Sequence, residues 1–198
     1  MKYQKKLIYG VGINDLSIPV RKDGKVVKEY YLWRGVLERC YSNWFHERQP
    51  AYKDVTCSNE WLTLSTFADD IRQMPNFEKC ITDGWQLDKD ILFKGNRHYS
   101  KETTCFVPVE INCLFTKSNR ARGKYCIGVC ETKGRFQAQL QIDGKNRISG
   151  YFETEVEAFK FYKKEKEKQI KKVAKTFKDQ LDIRVYEALI NYQVEITD

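Results

Sequence analysis

The stretch 135–142, which reads RFQAQLQI, constrains the possible folds of this chain more than any other stretch. Polar and apolar residues alternate along it, and a period of two residues predicts a strand with one buried face and one solvated face. Turn sequences containing glycine flank it, TKG at 132–134 and DGK at 143–145. We therefore predict a three-stranded antiparallel meander in which this stretch is the central strand.

A long helix is predicted to follow the meander and to cover one of its faces. Thr154 and Glu157 have the spacing of a capping box, which begins a helix, and an apolar stripe at helical spacing continues to Leu181. Two earlier helices are predicted at about 31–44 and about 60–73. The predicted fold class is α+β, with N-terminal helices, a small central module and a C-terminal three-stranded sheet packed on the long helix.

The positive charge of the chain is concentrated on that long helix. The stretch 160–178 holds nine lysines and two glutamates, a local charge of +7 in a chain whose net charge is +8. A run of one sign repels itself unless phosphates neutralise it, although charged helix faces are also often only solvated. The charge therefore favours a phosphate-rich partner, and double-stranded DNA is the partner we expect.

The solvated face of the central strand carries side chains suited to DNA. Arginine and glutamine match the hydrogen-bonding edges of guanine and adenine, and a small sheet can enter a major groove. An ordinary solvated sheet face is the alternative interpretation. The candidate DNA contacts in the sheet and on the helix are Lys133, Arg135, Gln137, Gln139, Arg147, Lys163, Lys164 and Lys171.

Composition argues against several other classes of protein. Of the 198 residues 41% are apolar, which is enough for a packed core, but no apolar run approaches the roughly 20 residues that cross a bilayer. The opening MKYQKKLIYG lacks a signal-peptide core, so we expect an intracellular protein with no membrane partner. The seven cysteines are scattered and are predicted to be reduced thiols, and two histidines are too few for a His-rich metal site.

The C-terminal stretch carries a recurrent pattern of glycine, aromatic and small residues over about 40 positions. The residues of the pattern are Gly128, Val129, Gly134, Phe136, Ala138, Leu140, Gly144, Lys145, Gly150, Phe152, Thr154, Glu157, Ala158 and Tyr162. This pattern resembles the Apetala-type (ethylene-response-factor) DNA-binding domain. The resemblance implies a three-stranded sheet in the DNA major groove with a helix packed behind it.

The stretch 85–112 resembles the HNH endonuclease module of bacteriophages, which occurs joined to an Apetala-type domain in this same order. The resemblance implies that Asp88 and Asn112 hold a divalent metal, and Asp90 could share it if both aspartates lie on one strand face. Ordinary surface ion pairs are the alternative for the aspartates. Lys89 stands where the catalytic histidine belongs, and its reference pKa is about four units higher than that of histidine, which makes it a poor base. His98 is the candidate substitute base, although a histidine in a loop often has no such role.

These observations predict three sections: an N-terminal helical region at 1–80, a degenerate ββα-metal (HNH-like) module at 81–118, and an Apetala-type domain at 119–198. The expected function is that of a phage-encoded DNA-binding protein in the host cytoplasm, derived from a homing-type endonuclease whose nuclease activity is weakened or lost. One alternative is an active nicking endonuclease that uses Mg²⁺ or Mn²⁺; otherwise no cofactor is expected. Another alternative is a phage inhibitor of a host defence or replication protein, which would make a host protein the partner.

Overall fold

The computed structural model describes residues 7–16, 20–22, 24–116, 124–142 and 145–198, with the backbone alone at 22, 25, 142 and 145–149. The chain divides into two compact units, Met1–Val109 and Glu110–Asp198. The boundary falls inside the stretch 81–118, and the division into three sections stays a prediction.

The first unit contains short strands and four helices among the residues described. Two 3-10 turns, Pro50–Tyr52 and Asn59–Leu62, interrupt the connections. Strands β1 and β2 pair antiparallel, β3 and β5 parallel, and β4 and β6 antiparallel. In chain order these elements are β1 (Arg21–Lys22), β2 (Lys25–Val26), α1 (Lys28–Tyr41), α2 (Asn43–Arg48), β3 (Thr56–Cys57), α3 (Leu64–Gln73), α4 (Phe77–Thr82), β4 (Gln86–Asp88), β5 (His98–Tyr99) and β6 (Cys105–Val107).

The two helices predicted in this unit are present with different ends. Helix α1 stops at Tyr41 because Ser42 adopts an extended backbone and its hydroxyl accepts a hydrogen bond from the Phe45 N–H, which starts α2. The α-helical part of the second prediction begins only at Leu64, after a 3-10 turn. Trp33 is fully buried and its indole N–H donates to the carbonyl of Trp61 at 2.8 Å, which ties α1 to the 3-10 turn just before α3.

The second unit confirms the predicted meander. After α5 (Val109–Leu114) come β7 (Val129–Thr132), β8 (Arg135–Ile142), β9 (Lys145–Phe152), α6 (Glu155–Thr176) and α7 (Ile183–Ile190), with the strands in the antiparallel order β7-β8-β9. Lys133 and Gly134 both have positive φ, +53° and +76°, the requirement of a two-residue type I′ hairpin. The other predicted turn, at 143–144, lies outside the described residues.

Helix α6 begins as its sequence predicts and packs on one face of the sheet. The Thr154 hydroxyl accepts from the Glu157 N–H and the Glu157 carboxylate accepts from the Thr154 N–H, both at 3.2 Å. The α+β class and the C-terminal sheet beside a long helix are therefore confirmed. The buried core between helix and sheet consists of Ala138, Leu140, Phe159, Tyr162 and Val194.

Among the described glycines in and beside the sheet, Gly128 is the one whose conformation and surroundings both require glycine. Its φ is +72°, and a β-carbon at this position would collide with the ring of Tyr162. Its carbonyl also accepts from the Gln139 N–H at 2.7 Å, just before β7 begins. The close approach of this backbone to Tyr162 sets the distance between α6 and the sheet. Among the described helices, none has the length and apolarity needed to cross a bilayer.

Candidate nucleic-acid interface

The outer face of the C-terminal sheet is polar and open, as the alternation predicts. Along β8 the side chains of Arg135, Gln139 and Gln141 are exposed and Gln137 is half-buried. Tyr151 pairs with Gln137 across β8 and β9 and is 53% exposed. Long hydrogen-bonding side chains and an aromatic ring thus share one surface that no described helix of the second unit covers, because α6 packs on the other face.

The cations at the edge of this surface differ in their surroundings. The Arg135 guanidinium lies 3.6 Å from the carboxylate of Glu153, and both are exposed, so this ion pair contributes little stability and exchanges readily for another anion. Lys133 is exposed at the tip of the hairpin. Arg147 pairs with the core residue Leu140 in the backbone register, so its position is not in the row of Arg135, Gln139 and Gln141 that the sequence predicted. The side chain of Arg147 lies outside the described residues.

The lysines of α6 form a second surface, which we call the lysine face. They line an open depression of about 670 Å³ along one side of the helix. Because these positions recur every three or four residues, they form one continuous stripe. Glu167 is the single acidic residue in this lining. The lysines of the lysine face are Lys160, Lys163, Lys164, Lys168, Lys171, Lys172 and Lys175.

One member of the lysine face also holds the end of the chain in place. The Lys163 ammonium donates to the carbonyl of Val194 at 2.5 Å and lies 2.9 Å from the Glu167 carboxylate, which accepts from the Val194 N–H at 2.9 Å. Burial alone would raise the pKa of Glu167, but the Val194 hydrogen bond and the Lys163 charge outweigh it and lower that pKa. Lys163, a predicted DNA contact, therefore has a structural role as well, whereas Lys164 and Lys171 are exposed.

Lys166 departs from the charged stripe that the sequence suggests. It lies four residues after Tyr162 and four before Ile170, both buried, and is itself half-buried. Burial lowers the pKa of Lys166. The spacing of four residues from Tyr162 and from Ile170 was the signal in the sequence that Lys166 lies on the buried side of the helix. Not every lysine in the stretch 160–178 therefore belongs to the lysine face.

In the first unit, Lys89 of the predicted HNH-like module is buried. Only 6% of the residue is exposed. Its ammonium donates to both carboxylate oxygens of Asp90 at 2.7 Å and to the carbonyl of Asn96 at 3.2 Å. The rings of Tyr52 and Tyr99 lie 5.6 and 5.8 Å from the same nitrogen, within the range of cation–π attraction. All three ammonium hydrogens thus have acceptors within the protein.

The loop around Lys89 is braced by the side chains of Asn96 and Thr103. The Asn96 amide donates to the carbonyls of Lys89 at 2.8 Å and His98 at 2.7 Å, and its oxygen accepts from the His98 N–H at 3.1 Å. The Thr103 hydroxyl donates to the His98 carbonyl at 2.7 Å. These bonds hold both ends of the loop that follows β4, so the candidate base His98 lies in a fixed strand.

The two aspartates of the predicted metal site have different partners. Strand β4 ends at Asp88, so the two do not share a strand face. One Asp88 oxygen accepts from the N–H groups of Asp90 at 2.7 Å and Ile91 at 2.9 Å. Burial, and then the charge of Asp90, raise the pKa of Asp88 despite these bonds. The Lys89 ammonium is bonded to both Asp90 oxygens, so its charge would oppose a metal ion at this carboxylate.

The remaining predicted catalytic and metal residues are His98 and Asn112. The ring Nδ1 of His98 is hydrogen-bonded to the Thr56 hydroxyl at 2.8 Å. Asn112 lies half-buried in α5, which belongs mainly to the second unit. Within the described part of the chain, no group of three or more His, Cys, Asp or Glu side chains is placed to hold a metal ion.

Sequence reasoning missed a group of residues packed around Tyr99. The Arg39 guanidinium lies 5.2 Å from the centre of the Tyr99 ring. Burial raises the pKa of Tyr52 and of Tyr99. These residues come from α1, a 3-10 turn and β5, and no local spacing relates them, so the sequence held no signal that would have brought them together.

No protein-family model matches this chain, and no curated protein or solved structure matches it either. The relation to HNH and Apetala-type proteins is therefore a resemblance of motifs, and the function has to be argued from the surfaces themselves.

Proposed function

We propose that this protein binds double-stranded DNA through its C-terminal unit. The observation that carries the proposal is the lysine face, seven lysines on one side of a single helix. From Lys160 to Lys175 it extends for about 22 Å at 1.5 Å per residue, the length of about six phosphates along one DNA strand. Neutralising those phosphates would release their counterions, which is the main source of affinity for such surfaces.

The proposal includes a role for the sheet. Arg135, Gln139 and Gln141 present the donors and acceptors that read purine edges in a major groove, and an Apetala-type domain would use its sheet in that way. In this proposal the outer sheet face makes contacts that depend on the DNA sequence, and the lysine face makes contacts that do not.

The first unit enters the proposal as a nuclease-derived scaffold whose catalytic role is weakened or lost, in a phage-encoded protein. What supports this is the position of Lys89: a buried ammonium bonded to Asp90 cannot take a proton from water. An active Mg²⁺- or Mn²⁺-dependent nickase is the alternative. Supercoiled plasmid incubated with either metal, with EDTA as control and with Asp88→Ala and Asn112→Ala variants, distinguishes the two. Relaxation that EDTA and both variants abolish would refute the loss of nuclease activity.

Binding itself is tested by the dependence of duplex affinity on salt. We expect the slope of log K against log salt to become less steep by about 2 in the Lys164→Gln/Lys171→Gln variant, since each lost phosphate contact changes it by about 0.9. The matched control is Lys53→Gln/Lys94→Gln, which removes two exposed charges from the first unit and is expected to keep the slope of the unmodified protein.

Two results would contradict the proposal. The first is that the protein does not bind duplex DNA even at low salt. The second is a stable complex with a host protein that persists at high salt while DNA affinity is equal in the lysine and control variants, which would favour the inhibitor hypothesis.

A further inference from the structure

The two candidate DNA surfaces lie on opposite sides of the C-terminal unit. Ala158 and Tyr162 of α6 belong to the core that packs on the sheet. Lys160 and Lys164 each follow one of these residues by two positions, a rotation of about 200° around the helix axis. The lysine face therefore points away from the sheet, and the Arg-Gln face is the sheet surface that α6 does not cover.

The thickness of the unit separates the two surfaces. A helix with its side chains is about 10–12 Å across, and the sheet adds its own depth. A single straight duplex seated against Gln139 and Gln141 on the outer sheet face cannot also lie along Lys164 and Lys171. The sequence predicted DNA contacts in the sheet and on the helix, and the fold places these two sets of side chains on different sides.

We propose that each molecule binds two separate stretches of duplex DNA at once, one on the outer sheet face and one on the lysine face, and so bridges them. This inference rests on the proposed function. The lysine face suits a duplex on grounds of charge: it is a stripe of one sign, and its single acidic residue, Glu167, is already paired with Lys163. Its length matches a series of phosphates spaced about 3.4 Å apart along a strand.

The lysine face also differs from a helix that lies on a membrane. Such a helix buries a broad apolar face in the lipid boundary. The apolar side of α6 is committed to the protein, where Ala158, Tyr162, Ile170 and Ala174 are buried. A second duplex is therefore the partner that we assign to the lysine face.

A capture experiment with the full chain tests the inference. Biotinylated duplex is fixed on beads, saturated with protein and washed, and a second, fluorescent duplex is then added. Captured fluorescence per molecule of bound protein measures bridging. The unmodified protein is expected to capture the second duplex.

Two variants each remove one surface. The lysine-face variant is Lys164→Glu/Lys171→Glu, and its matched control with the same change of charge is Lys53→Glu/Lys94→Glu. The sheet variant is Arg135→Thr/Gln139→Thr/Gln141→Thr, in which threonine preserves the tendency to form a strand. Circular dichroism confirms that each variant is folded. Both surface variants are expected to bind the first duplex at raised concentration and to capture at least tenfold less of the second, whereas the control captures as the unmodified protein does.

The possible outcomes distinguish a failure of bridging from a failure of the proposed DNA binding. If the unmodified protein saturates the first duplex and captures no second one, bridging is refuted and DNA binding stands. If either surface variant captures as much as the unmodified protein, bridging arises from association of protein molecules and the inference fails. If the lysine-face variant loses affinity only for duplex RNA or for anionic vesicles, the lysine face has another partner and the inference also fails. If no duplex is retained at all, the proposed function itself is wrong.

Discussion

Lys89 in the first unit and the lysines of α6 in the second are the same residue type in opposite physical situations. Lys89 is 6% exposed, and its ammonium donates hydrogen bonds to the Asp90 carboxylate and to the Asn96 carbonyl. Lys164 and Lys171 are exposed on a helix side that carries almost no negative charge. The first cation is part of the fold and the others are available to a partner. Lysine content alone therefore says little about binding until burial and partners are known.

The largest expected effect comes from removing the partner of the buried cation. Asp90→Ala would leave the Lys89 ammonium without its countercharge. Breaking a fully buried ion pair costs about 3–5 kcal/mol. Because the Asp90 side chain is 46% exposed, water partly compensates, and we expect a loss of about 2–3 kcal/mol in the free energy of unfolding, measured by urea denaturation.

Two comparisons make that result specific. The exposed substitution Lys164→Gln is expected to change the free energy of unfolding by less than about 0.5 kcal/mol. Lys89→Met combined with Asp90→Ala should recover much of the stability lost in Asp90→Ala, because no unpaired charge stays buried. A loss on Lys164→Gln as large as that on Asp90→Ala would remove the distinction between the two kinds of lysine.

Lys166 is intermediate between the buried Lys89 and the exposed Lys164. Replacing it is expected to change the free energy of unfolding by a smaller amount and in the stabilising direction. Lys166→Met removes a half-buried ammonium and keeps a long flexible side chain of similar helix propensity. We expect a gain of about 0.5–1 kcal/mol in the free energy of unfolding at pH 7.

The pH dependence checks the cause of that gain. Burial lowers the pKa of Lys166 in the folded protein, so the unfolded chain binds the proton more tightly. Stability of the unmodified protein therefore rises with pH between the folded pKa and the ordinary value of 10.5. The advantage of Lys166→Met should shrink across that window, and an advantage that stays constant with pH would have a packing cause instead.

The smallest expected effect concerns Asp88. Burial raises the pKa of this carboxyl in the folded protein above the ordinary 3.8. Because the folded state holds that proton more tightly, the group makes stability fall as pH rises from 3.8 through the folded pKa. In Asp88→Asn this part of the pH dependence should be absent, while the amide oxygen still accepts from the Asp90 and Ile91 N–H groups.

Denaturation curves at a series of pH values on both proteins measure this difference. We expect the free energies of unfolding of the unmodified protein and of Asp88→Asn to differ by no more than about 1 kcal/mol, since most hydrogen bonds of the site are preserved. Identical pH profiles would show that the surroundings of Asp88 do not favour its protonated form.

The prediction of the C-terminal unit succeeded where structure follows from local sequence. The alternation of 135–142 and the capping box at Thr154 are set by backbone geometry over a few residues, and both are confirmed. The end of α1 was wrong by three residues, because Ser42 caps the next helix instead of continuing the first. The signal was present in the sequence, since serine is a preferred capping residue.

The surroundings of Lys89 could not be predicted in this way. Tyr52, Asn96 and Tyr99 come from separate segments, and their approach to the ammonium follows from tertiary packing. A resemblance of motifs drew attention to residues 88–90 and implied a metal site, with ordinary surface ion pairs as the alternative. The fold pairs Asp90 with Lys89, and this lysine is buried.

The sequence by itself determined the strands of the C-terminal meander, the start of α6 and the excess of positive charge, because periodicity and charge are properties of neighbouring residues. Only the tertiary structure decided which charges face solvent. It buried Lys89 against two aromatic rings, turned Lys166 toward the apolar side of α6, and placed the lysine face opposite the outer face of the sheet. The physical reason is that the electrostatic role of a side chain depends on desolvation and on partners distant in sequence, and packing brings these together.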